Sequence, residues 1–143
     1  MEKNTTSASE TQKLAKGILG NLGSANVICL YGAIGVGKTT LTQGLARELG
    51  ITAKIISPTF VLIRQYSLSK QFKFQRLFHV DLYRLEEVQQ IKDLGIEEIW
   101  QDKSNLVIIE WAEKLGELFP AHHLEIRMKT ITSVKRSIHF QSK

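Results

Sequence analysis

Between an apolar run, NVICLY at 26–31, and a stretch with helical spacing, KTTLTQGLAREL at 38–49, the chain places GAIGVG. Gly32, Gly37, Lys38 and Thr39 fill the four fixed positions of G-x-x-x-x-G-K-[ST]. By composition alone those positions coincide in roughly one chain in 200 of this length. A strand before the glycines and a helix after them make chance less adequate still. Glycines let the backbone take positive φ and approach an anion with no Cβ in the way. Successive N–H groups then converge on one point, backed by the positive end of the helix. The feature therefore predicts a phosphate-binding loop (P-loop) at the end of a buried strand, with Lys38 reaching the β- and γ-phosphates and the Thr39 hydroxyl on Mg²⁺. A glycine turn capping an unrelated helix is the plain alternative.

Such a loop needs a carboxylate on a neighbouring strand to complete the metal site. Two apolar runs end in one acid each, LFHVD at Asp81 and LVIIE at Glu110. One carboxylate could hold the metal, directly or through water, while the other orients or deprotonates the attacking water. Spacing leaves that division open. SPTF at 57–60 occupies the place of a loop whose hydroxyls approach the γ-phosphate, and reads equally well as a plain turn. Trp111 follows Glu110 and reads first as a core residue. His79 alternates with Asp81 and reads as structural rather than as a general base.

Around this motif the order of elements is mixed. Ser9 with Gln12 predicts a capped helix running to Gly23, with Leu14, Ile18, Leu19 and Leu22 along one side. The first eight residues are polar and read as a loose tail. FVLIRQYSL (60–68) and FKFQRLFHVDLY (72–83) read as extended segments joined across SKQ. EEVQQIKDLG (86–95) and IEEIW (96–100) read as helical, NLVIIEW (105–111) as a further strand. HLEIRMKTI (123–131) and KRSIHFQ (135–141) alternate like a hairpin. The expectation is a single domain over 1–143, an α/β three-layer P-loop fold with a mixed parallel and antiparallel sheet.

Composition narrows the class. The one cysteine, Cys29, lies in an apolar run, which excludes a disulfide framework and favours a reducing compartment. No run approaches about 18 apolar residues and no secretory signal is visible, so the reading is cytoplasmic without a membrane. Net charge is +5, yet residues 86–117 hold nine acids and three bases, which leaves about +11 for the remainder. Nucleotide, RNA or an acidic protein would suit that remainder, and so would an ordinary basic surface.

Gly32–Thr40, SPTF, HVDLYRL (79–85), LGIEEIW (94–100) and IEWAEKLGELFP (109–120), in that order, strongly resemble the TsaE family. These are small bacterial P-loop ATPases of the pathway that makes threonylcarbamoyladenosine at position 37 of tRNA. The resemblance spans residues 32–120, with Ile34 and Val36 where leucine and alanine are more usual. It implies ATP and Mg²⁺ as cofactors. It implies TsaB and TsaD as partners, with tRNA reached only through that complex. TsaD transfers the threonylcarbamoyl group, and the TsaE-type protein drives or resets the complex. Carried over, Gly32, Gly35, Val36, Gly37, Lys38, Thr39 and Thr40 bind nucleotide, with Thr59 in the switch-like loop and Trp111 nearby. Thr39, Asp81 and Glu110 serve the metal, and the two acids are the catalytic residues.

Two other functions fit parts of the sequence. A P-loop small-molecule kinase needs an acceptor pocket and a lid, for which 143 residues leave little room. A nucleotide-gated scaffold without turnover suits the basic excess, although no interleaved aromatic and basic platform for RNA is present. A GTPase is disfavoured by the lack of an N-K-x-D segment.

Overall fold

The computed structural model describes residues 1–33, 35–55 and 62–143. Seven strands form one sheet: β1 (Glu2–Thr5), β2 (Val27–Tyr31), β3 (Ile63–Ser67), β4 (Arg76–Asp81), β5 (Asn105–Glu110), β6 (Leu124–Thr130) and β7 (Arg136–Ser142). Their spatial order is β1-β7-β6-β2-β5-β4-β3. The four central strands β6, β2, β5 and β4 run parallel, whereas β1, β7 and β3 pair antiparallel at the flanks. The mixed three-layer arrangement expected from the sequence is the one found.

Helices cover both faces. The two faces of β2 divide by the period-two alternation of a strand. Ile28 and Leu30 join the cluster with Leu41 and Leu45 of α3 (Lys38–Glu48) and Ile18 of α2 (Ala15–Gly20). Val27, Cys29 and Tyr31 join the opposite cluster with Ile91 of α4 (Val88–Asp93) and Ile96 of α5 (Ile96–Gln101). Every residue of β2 and of β5 is buried. Each large apolar side chain taken from water contributes on the order of 2 kcal/mol, so the ends of these strands are fixed points. Gly44 lets α3 approach α1 (Ala8–Lys13) closely, because a Cβ there would lie 2.7 Å from the Gln12 backbone.

Three expectations need correction. Residues 1–8 are not a loose tail. Glu2–Thr5 pairs with β7 from Glu2↔His139 to Thr5↔Arg136, and Thr5 is buried with its hydroxyl 2.8 Å from that of Thr11. An edge strand can be this polar because its pairing uses backbone groups alone. The first helix is capped two residues earlier than predicted. Ser7 Oγ accepts from Glu10 N at 3.1 Å, while Glu10 accepts from Thr6 N at 2.6 Å. The S-x-x-E pattern at Ser7 thus outcompetes Ser9 with Gln12, and the helix is broken at Leu14 into α1 and α2. The segment at 72–83 is strand only over Arg76–Asp81, since the Gln75 and Arg76 N–H groups both donate to the Ser104 carbonyl.

Candidate functional site

The carboxyl ends of β2, β5 and β4 lie side by side, and the sequence-predicted groups gather there. The β4–β5 register pairs Asp81 directly with Glu110. Both acids close strands whose alternation turns them to the α3 side, Asp81 with Leu77 and Glu110 with Ile108. They are buried, at 6% and 3% exposure. Asp81 Oδ1 accepts from the Tyr83 backbone N–H at 2.9 Å, a turn that holds the carboxylate at the strand exit. Glu110 Oε2 lies 2.5 Å from His79 Nε2.

The glycine loop bridges β2 and α3. Gly37 caps α3 at φ 107°, a conformation that strains any residue with a Cβ. Lys38 opens the helix and is 6% exposed. Its ammonium donates to the loop's own Gly32 carbonyl and, at 3.3 Å, to the Ala33 carbonyl. Burial lowers its pKa, while Glu110, Glu113 and Asp81 oppose that shift. These three carboxylates thus act electrostatically on the lysine that the sequence assigns to phosphate. Thr39 and Thr40 follow in the first turn of α3, both partly exposed. Gly32, Gly35 and Val36 complete the loop. Thr59 and the rest of SPTF lie outside the described residues.

Trp111 sits at the rim of this site as well as against the core. Its ring centroid is 4.2 Å from Lys38 Nζ and 5.0 Å from that of Tyr83. Its other side packs on the cluster of Val27, Cys29 and Ile109. At φ 60° it is the one non-glycine with positive φ among the described residues. The expected core role is therefore half of its placement.

Sequence reasoning missed two contributors. Arg136 of β7 donates through Nε to the Val36 carbonyl at 3.1 Å, tying the loop to a strand 100 residues away. Nothing local to Arg136 signals that contact. Thr6, Ser7 and Thr11, from the supposed tail and first helix, line a cavity of about 290 Å³ with Gly37, Thr40 and Arg136.

The donor set fits a hard divalent cation. Magnesium prefers oxygen ligands and takes one or two carboxylates alongside phosphate and water rather than an all-protein cage. One hydroxyl, Thr39, and two carboxylates, Asp81 and Glu110, match that demand.

The family model described as threonylcarbamoyl adenosine biosynthesis protein TsaE matches residues 5–138. The chain belongs to the TsaE family. A TsaE of Bacillus subtilis is 35% identical over 136 residues, covering 95% of this chain and 82% of the relative. A TsaE of Rickettsia bellii is 36% identical over 131 residues, 91% of this chain and 87% of the relative. The crystal structure of Bacillus subtilis YdiB superposes with a TM-score of 0.77 at 29% identity, over 98% of this chain and 83% of that one. TsaE membership places the chain in threonylcarbamoyladenosine biosynthesis, on a P-loop fold. No helix among the described residues is long and apolar enough to cross a membrane.

Proposed function

We propose that the protein binds ATP with Mg²⁺ and hydrolyses it, as the cytoplasmic energy-using component of tRNA threonylcarbamoyladenosine biosynthesis. It acts on a TsaB–TsaD complex and leaves group transfer to that complex, so tRNA is met indirectly. The observation that carries this reading is the convergence of Lys38, Asp81 and Glu110 at the glycine loop of a TsaE-family chain.

In this reading the N–H groups of the loop and the first turn of α3 cradle the phosphates. Lys38 exchanges two loop carbonyls for phosphate oxygens, a swap that keeps its N–H donors satisfied throughout. Thr39, Asp81 and Glu110 would hold magnesium, which when bound neutralises phosphate charge. Glu110 orients the attacking water or accepts its proton. The cavity lined by Gly37, Thr40 and Arg136 adjoins the first turn of α3, so it is the natural place for the nucleoside.

The deciding experiment is steady-state ATP hydrolysis with magnesium, for the chain alone and with TsaB, TsaD and tRNA. Slow turnover that rises with the partners is expected. Tight binding without hydrolysis in either setting would turn the assignment toward a nucleotide-gated scaffold. Phosphate transfer to a nucleoside or nucleotide acceptor would turn it toward a kinase.

A further inference from the structure

His79 is a buried titratable group beside the loop's acids, and the hydrolytic scheme makes no use of it. It is fully buried, and its register partner Ile108 lies two residues before Glu110 on the same face of β5. Leu77 precedes it on that face, within the apolar cluster beneath α3. Its one side-chain hydrogen bond among the described residues is the 2.5 Å contact from Nε2 to Glu110 Oε2. The other ring nitrogen, Nδ1, is buried without a partner among the described residues.

Between the two neutral tautomers, this geometry selects one. A neutral imidazole carries N–H on one nitrogen and a lone pair on the other. With the proton on Nε2, His79 donates to an ionised Glu110, and only a lone pair is stranded in the apolar layer. With the proton on Nδ1, a buried donor would be orphaned at a cost of about 1–3 kcal/mol, and a carboxylate would face a lone pair. The strand sequence H-x-D explains the reach. Alternation sends His79 and Asp81 to the same face, one pleat repeat apart. The imidazole therefore arrives beneath the neighbouring strand's acid while Asp81 stands beside it.

We propose that His79 is a positioning residue for Glu110. Its Nε2–H holds Oε2, which fixes the carboxylate plane and leaves Oε1 as the oxygen that meets water or metal. The proposal rests on the reading of Glu110 as the hydrolytic carboxylate. His79 touches no reacting atom. It acts by denying Glu110 the rotamers that a glutamate at a strand end would otherwise sample, and a misplacement of about 1 Å can cost a hundredfold in rate.

The test compares His79→Met, which fills the apolar space without a donor, with His79→Gln, whose side-chain amide can still donate. ATP hydrolysis is measured with TsaB, TsaD and tRNA present, and nucleotide affinity is measured separately by calorimetry with ADP and magnesium. His79→Met is expected to lower kcat at least tenfold with KM and ADP affinity within about threefold of the original. His79→Gln is expected to restore most of kcat. In a Glu110→Gln background, His79→Met should change nothing further. A His79→Met protein with unchanged kcat would overturn the proposal, as would equal losses in the Met and Gln variants, which would mark a packing role. Histidine ¹⁵N chemical shifts of the nucleotide-free protein test the contact independently of any variant. The Nε2–H tautomer is expected, and an Nδ1–H tautomer overturns the pairing even if His79→Met fails to fold. A wild type that shows the Nε2–H tautomer yet never hydrolyses ATP refutes the function assigned to Glu110, not the contact.

Discussion

The Lys38 ammonium stands 4.2 Å from the centre of the Trp111 ring while it donates to the Gly32 and Ala33 carbonyls. The loop's own carbonyls thus accept from its lysine, and the indole shares that charge. A cation over an indole face contributes roughly 0.5–2 kcal/mol.

The first prediction follows from that sharing. Phosphate draws Nζ away from the ring, so ATP with magnesium should change tryptophan emission. Trp111→Phe should abolish the change, since it is the Trp111 ring that lies against Lys38 Nζ while Trp100 is buried on α5. Lys38→Met should weaken ATP binding roughly 10- to 100-fold, the loss expected for hydrogen bonds to a charged group. Retained affinity in Lys38→Met would contradict the role given to this lysine.

Asp81 and Glu110 are register partners, yet their local contacts differ. Asp81 accepts a backbone N–H from Tyr83, and Glu110 meets His79. Glu110→Gln should lower kcat on the order of 10²-fold with nucleotide affinity nearly unchanged. Asp81→Asn should instead raise the magnesium concentration required for half-maximal binding. The opposite pattern in a magnesium titration would exchange the two roles.

Much of this site is legible in the sequence because its signals are local. The glycine loop, the strand before it and the helix after it fall within residues 26–49, and each acid closes its own apolar run. What escapes is non-local or carried by backbone. Arg136 reaches Val36 only because β7 returns beside β6. Glu2–Thr5 joins the sheet through main-chain pairing, which leaves no hydrophobic period to read. Trp111 looks like core from its neighbours in sequence, but a positive φ turns its ring toward the loop. His79 reads as structural, and its buried contact with Glu110 depends on a register that spacing does not reveal.

Gly44 carries a prediction about stability alone. A methyl group there meets backbone atoms of Gln12, which cannot rotate aside. Gly44→Ala should therefore push α1 from α3 and cost about 1–3 kcal/mol, the range for overpacking. Urea unfolding of the variant and of the original would check the cost. An Ala variant as stable as the original would mean that the helix pair has slack.

Cys29 yields a pH dependence with a definite sign. Burial first, and the nearby Glu125 charge second, push its thiol from an ordinary 9.0 up to about 12. Between those values the unfolded chain loses the proton and the native protein keeps it. The native state then binds more protons, so stability falls as pH rises through that window. From pH 8 to 10 this one group should remove on the order of 1 kcal/mol. Urea unfolding of the original and of Cys29→Ala at both pH values isolates the effect, because other titrating groups act on both proteins alike. The alanine protein should start less stable, from the lost sulfur packing, and lose less on going to pH 10. A thiol-reactive reagent adds a kinetic check at pH 8: Cys29, fully buried, should react only as fast as the chain opens. Equal pH losses in the two proteins, or rapid labelling of the native state, would show that the thiol meets water and that the strand under the phosphate loop is less tightly sealed than its burial indicates.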